Sequence, residues 1–77
     1  MKLHNRVREL RARYRLSQTE LAEAIDVSRQ TISLIERGDY SPSVVLVLKM
    51  AQLFKEPVEM IFYLEEEDLY DSDKSTK

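Results

Sequence analysis

Arg29, Gln30 and Ser33, with Leu34 and Arg37 close behind, are the residues whose types and spacing carry chemistry in this chain. An arginine can donate two parallel hydrogen bonds to guanine, and a glutamine can pair bidentately with adenine. The chemistry they offer is therefore recognition of planar, hydrogen-bonding edges rather than the making or breaking of bonds. Winding residues 29–37 at about 100° per residue with Ile32 inward puts Ile35 in the core as well. Gln30, Ser33, Leu34 and Arg37 then point outward and Arg29 stands on the flank, while Glu36 falls beside the inward pair. An outward leucine is odd in water but suits a thymine methyl.

Two helix starts frame this segment. Ser17 can cap a helix while Glu20, three residues on, closes a capping box, and Leu16 and Leu21 occupy the positions of a hydrophobic staple. The pattern repeats eleven residues later, with Val27, Ser28 and Ile32 in the same relation. The spacing predicts a helix from about Gln18 to Ile25 and another over about 29–37, stopped by Gly38, the single glycine, at a C-cap. Asp26 must make the bend between them, which usually wants positive φ. Two short helices joined by a tight turn, the second with a polar outer face, form the layout that lays a helix into the major groove of DNA.

The remaining elements read as support. Leu3, Val7, Leu10 and Tyr14 form a helical stripe with arginines between them. Ser41-Pro42 predicts a fourth helix, a capping serine followed by proline at the first helical position, running to about Phe54. That helix is apolar nearly all round, so it belongs at the centre of the domain or shares a second face with another chain. Pro57 opens a short apolar segment to Leu64, of which Ile61–Glu65 is β-prone and able to pair with residues 1–4 or with its twin. The fold class expected is all-α, with a 1–64 domain and a 65–77 acidic polar tail in which order fades after about Tyr70.

Phosphate contacts are expected outside the base-reading face. Gln18 begins the second helix, whose free amides favour an anion. Arg15 precedes it, and Arg37, Tyr40 and Ser43 flank the end of the third helix and the following loop. Arg11 is the natural partner of Glu36, since an unpaired buried carboxylate is costly. Leu53, Val58, Ile61, Phe62 and Leu64 supply apolar area for a dimer surface that one small core need not consume.

Composition narrows the function classes. The chain has 77 residues, no cysteine and one histidine, which removes disulfides and makes a structural zinc site untenable. No glycine-rich phosphate loop is present and His4 stands alone, so no catalytic constellation is found and no cofactor is implied. The longest apolar run, Val44–Leu48, cannot cross a bilayer, and the N-terminus lacks the apolar region of a secretory signal. A cytoplasmic protein is expected. Net charge is −2, yet residues 1–37 carry eight basic and five acidic side chains whereas residues 65–77 carry two and six. Local field rather than total charge decides whether a surface attracts phosphates. RNA readers show stacking aromatics on a sheet or loop, and the six aromatics here lie mostly in apolar stretches.

The segments 16–22 (LSQTELA), 27–33 (VSRQTIS) and 35–38 (IERG) closely resemble the Cro/repressor-type, or XRE-family, helix-turn-helix regulators. Ser41-Pro42-Ser43 and Leu48-Lys49-Met50-Ala51 extend the resemblance, which covers roughly residues 3–64. It implies a five-helix, lambda-repressor-like domain, usually a homodimer, that represses or activates transcription at an inverted-repeat operator in double-stranded DNA. By position it makes Gln18 the phosphate-binding glutamine, puts Arg29, Gln30, Ser33 and Leu34 where bases are read, and makes Arg11 and Glu36 a structural ion pair. Among small members the chain is most similar to compact single-domain regulators resembling the cytolysin repressor, in which C-terminal segments help form the dimer. Two departures stand out: Asp26 replaces the usual turn glycine, and the acidic tail is not part of the motif. The tail supports an alternative reading, an antitoxin or co-regulator that binds a protein partner through Glu65–Tyr70 and autoregulates its promoter.

Overall fold

A computed structural model describes residues 2–65. The order of elements is β1 (Leu3–Asn5), α1 (Val7–Arg13), α2 (Gln18–Ala24), α3 (Arg29–Arg37), α4 (Val44–Phe54), α5 (Val58–Ile61) and β2 (Phe62–Leu64). Five helices surround one core built from Val7, Leu10, Leu21, Ala22, Ile25, Ile32, Ile35, Leu46, Met50, Phe54, Ile61 and Phe62. The expected tail lies outside the described residues beyond Glu65.

The strands close the ends of the chain on each other. β1 and β2 pair antiparallel with Leu3 opposite Leu64, His4 opposite Tyr63 and Asn5 opposite Phe62. The expected helical stripe from Leu3 is thus corrected at its first member, which lies in a strand while α1 starts at Val7. Asn5 sets that boundary: its Oδ1 accepts from the Val7 amide at 3.0 Å while its Nδ2 donates to the Ile35 carbonyl at 2.9 Å. One side chain therefore stops the strand, starts α1 and ties both to the end of α3. The Arg6 amide adds a 2.8 Å bond to the Ile61 carbonyl, so the ribbon is anchored where β2 begins.

Three serines cap three helices. The Ser17 Oγ accepts from the Glu20 amide and the Glu20 carboxylate accepts from the Ser17 amide, completing the capping box. Ser28 accepts from the Thr31 amide at 3.2 Å, and Ser43 accepts from the Leu46 amide at 3.2 Å. The cap of α4 is thus Ser43 rather than Ser41: both serines have the right chemistry, and Pro42 lies before the cap instead of inside the first turn.

Helices α1 to α4 share one manner of ending. Each is followed by a left-handed residue, Arg15 (φ 57), Asp26 (φ 63), Gly38 (φ 82) and Lys55 (φ 56). In each case the next amide reaches back to an orphan carbonyl: Leu16 to Arg11, Val27 to Ala22, Asp39 to Leu34 and Glu56 to Ala51. These are Schellman closures, which satisfy carbonyls that the helix leaves unpaired. They also fold Leu16 and Val27 back onto the core.

Helix α4 turns only one side inward. Leu46, Met50 and Phe54 are buried at four-residue spacing, whereas Val44, Val45 and Leu48 remain 74%, 64% and 51% exposed. Tyr14 secures the helix's far end, donating from its hydroxyl to the Phe54 carbonyl at 2.8 Å with the two rings 5.9 Å apart. No helix among the described residues is long and apolar enough to cross a membrane.

Candidate nucleic-acid interface

Helix α3 is held by its inner side and displayed by its outer one. Ile32 and Ile35 are buried. Its start is fixed by Ser28 and its end by Gly38, so the nine residues between are a rod closed at both ends. Arg29, Gln30 and Arg37 are exposed along it, and Ser33 and Leu34 are half-buried. Gln30, Ser33, Leu34 and Arg37 line one shallow hollow on this surface. A second hollow, lined by Arg8, Arg11, Gln18, Ser33, Glu36 and Arg37, adjoins it through Ser33 and Arg37. Three helices therefore contribute to one continuous polar face.

The base of that face is an ion pair. Arg11 donates from Nε to Glu36 Oε2 at 2.7 Å and from Nη2 to Glu36 Oε1 at 3.2 Å. Its Nη1 donates to the Leu16 carbonyl at 3.0 Å, in the turn before α2. The Glu36 side chain is only 6% exposed and that of Arg11 17%. The hydrogen bond to Glu36 holds the Arg11 guanidinium above its usual range against the opposing effect of burial. A bidentate pair of this kind fixes orientation as well as charge. Gln18 joins it, donating from Nε2 to Glu36 Oε1 at 3.1 Å. One carboxylate of α3 thus accepts from both α1 and α2, which sets the angle at which α3 stands.

The positions expected to meet phosphate are spread around this face. Arg15 is exposed in its left-handed turn before α2, and Tyr40 and Ser43 are exposed in and after the loop following α3. Arg37 lies 3.4 Å from Asp39, with both side chains mostly in solvent. Such an exposed pair contributes little and leaves the guanidinium available to another anion. Arg8 was absent from the expected set, yet it lines the same hollow as Gln18 and Arg37. The signal was its spacing: Arg8 and Arg11 are three residues apart on α1 and so share a face. Among the described residues, no carboxylate lies within ion-pairing distance of Arg8, Arg15 or Arg29.

The residues expected to form a dimer surface divide. Ile61 and Phe62 are buried in the chain's own core, which corrects the expectation that they face a partner: Ile61 at the end of α5 and Phe62 at the start of β2 belong to the same apolar cluster as Phe54 and Met50. Leu53 and Val58 are half-buried, Leu53 packed against that core, and Leu64 is exposed on the ribbon. Nothing in the described residues gathers three or more histidine, aspartate or glutamate side chains into a group able to hold a metal ion.

Known proteins are similar to this chain in sequence and fold. The helix-turn-helix family model matches residues 7–61, from the start of α1 to the end of α5. The chain is 48% identical over 66 residues to the uncharacterized HTH-type transcriptional regulator YgzD of Bacillus subtilis (strain 168), covering 86% of this chain and all of that one. It is 41% identical over 66 residues to an uncharacterized HTH-type transcriptional regulator of Methanocaldococcus jannaschii, again covering 86% of this chain and all of the relative. Among solved structures it is similar to the restriction-modification controller protein C.AhdI of Aeromonas hydrophila, with a TM-score of 0.66 and 34% identity over 71% of this chain and 83% of that one. A chain from Bacteroides fragilis shares the fold at a TM-score of 0.71 and 24% identity, over 79% of this chain and 98% of that one. With the serine-capped α2 and α3, the closed turn at Asp26 and a family match spanning most of its length, this chain belongs to the helix-turn-helix transcriptional regulators of the Cro/repressor (XRE) type.

Proposed function

We propose that the protein is a sequence-specific DNA-binding regulator, a repressor acting as a homodimer at an inverted-repeat operator. Helix α3 enters the major groove with Arg29, Gln30, Ser33 and Leu34 toward base edges. Gln18, Arg15, Arg37, Tyr40 and Ser43 contact phosphates on either side, and Arg8 joins them. Repression would follow from occupancy, the bound dimer covering its site.

The observation that carries this reading is the outer face of α3, whose Arg29, Gln30 and Arg37 side chains are exposed beside a half-buried Ser33 while Arg11, Glu36 and Gln18 lock the helix. A merely solvated polar face needs no such anchoring. Holding recognition groups in fixed geometry is what base discrimination requires, because each bidentate contact is worth about 1–3 kcal/mol only when aligned. Selection of bound duplexes from a random library is the test. The expected product is a near-palindrome with half-sites about 34 Å apart, one helical turn. Recovery of no preferred sequence at moderate salt would defeat the proposal.

A further inference from the structure

We infer that Asp39 is a positioning residue that sets how strongly the protein grips DNA phosphates, by competing with them for the Arg37 guanidinium. The inference deepens the DNA-binding reading and rests on it. Of the four arginines assigned to that interface, Arg8, Arg15, Arg29 and Arg37, only Arg37 has a carboxylate within ion-pairing distance among the described residues. Its Nε lies 3.4 Å from Asp39 Oδ2. Arg37 also lines both hollows of the polar face, so the arginine held in this way adjoins Gln30 and Leu34 in one and Arg8 and Gln18 in the other.

The place of Asp39 is otherwise poor for a carboxylate. It follows Gly38 at the C-terminal end of α3, where the helix dipole favours cations and disfavours anions. Its amide donates to the Leu34 carbonyl at 2.9 Å, so the closing turn pins its backbone beside the helix end. A phosphate approaching Arg37 meets the same negative charge. Two local effects thus oppose an acid here, and the guanidinium is its one ion-pair partner among the described residues.

Binding then exchanges one anion for another at Arg37. The pair is exposed and therefore weak, so its loss changes affinity severalfold rather than by orders of magnitude. Paired, the two side chains sum to zero charge and release fewer counterions from DNA than a lone arginine does. Asp39 trims the sequence-independent part of binding and leaves base reading to Arg29, Gln30, Ser33 and Leu34.

The test is binding of the full chain to its selected operator and to a random duplex across a salt series. Asp39→Asn should tighten both by about three- to fivefold at low salt. It should also steepen the fall of log affinity with log salt by up to about 0.9 per chain. The ranking of single-base operator variants should not change. In an Arg37→Ala background the same substitution should change affinity by less than about twofold, because the carboxylate acts through that guanidinium. Asp39 is exposed and its bond to Leu34 is made by the backbone, so the variant keeps its fold. Unaltered affinity of Asp39→Asn at every salt concentration would overturn the inference, as would an effect that persists in full without Arg37. A changed base ranking would also overturn it, making the carboxylate a direct acceptor from cytosine. These three results leave the DNA-binding reading standing, whereas failure of the unaltered protein to bind any duplex removes that reading and this inference together.

Discussion

Helices α3 and α4 have similar lengths, serine caps and one buried stripe, yet their outer faces are opposite in kind. The face of α3 carries arginine, glutamine and serine; that of α4 carries two valines and a leucine. Polar groups in water cost nothing, so the α3 face reveals its purpose only through how rigidly it is held. Exposed aliphatic groups are unfavourable in water, so the α4 face stands out by its exposure alone. The two helices also differ in what anchors them. Beneath α3 lies the Arg11–Glu36–Gln18 cluster, which fixes a direction, whereas beneath α4 lies Met50 and Phe54, which fix a depth. Hydrogen bonds have preferred angles and hydrophobic contacts have almost none.

The comparison can be broken most decisively from below α4. Phe54→Ala should cost about 3–5 kcal/mol in denaturant unfolding, since the ring is fully buried and its loss leaves a cavity. A cost below about 1 kcal/mol would mean that α4 is not seated as described. Under α3, Glu36→Ala leaves Arg11 largely buried without its counter-charge. About 3 kcal/mol of stability should be lost, somewhat less than for a fully buried pair because the guanidinium keeps its bond to Leu16. Glu36→Gln should retain more stability than Glu36→Ala, because it keeps one acceptor for Arg11.

On the outer face of α3 the expected effects move from stability to recognition. Arg29→Ala or Gln30→Ala should weaken the selected site by about 1–3 kcal/mol and relax preference at one base position, with melting temperature nearly unchanged. Quantitative binding to a panel of single-base variants distinguishes this from Arg8→Ala, which should weaken all sequences alike and flatten the salt dependence. Equal losses from all three substitutions on every duplex would make the α3 face a phosphate contact only. The smallest effect concerns the turns: Lys55→Gly and Asp26→Gly should each raise stability by up to about 1 kcal/mol. Glycine relieves left-handed strain, and the greater freedom it gives the unfolded chain offsets part of the gain. Thermal melts that show destabilisation would contradict the backbone described at these sites.

The helix boundaries that could be read in advance are those written in local chemistry. Ser17, Glu20 and Ser28 announce their helices because capping joins residues three apart, and Gly38 announces an end because only glycine takes a left-handed turn freely. Arg15 and Lys55 make the same turn unannounced, since nothing about arginine or lysine favours positive φ. There the packing of Leu16 and the bonds back to Arg11 and Ala51 impose what propensity opposes. Leu3 misled in the opposite sense: its spacing fits a helix, but pairing with Leu64, sixty-one residues away, makes it a strand.

Periodicity and caps, which act within a few residues, determined the order of the helices, the outward set on α3 and the pairing partner for Glu36. Tertiary structure alone decided that Gln18 shares that carboxylate, that Arg8 lines the same hollow as Arg37, and that Ile61 and Phe62 complete the core while Val45 and Leu48 stay outside it. The reason is geometric. An apolar residue on a short terminal segment and one on a long helix look alike in sequence, and only the volume left between the other helices settles which of them is enclosed.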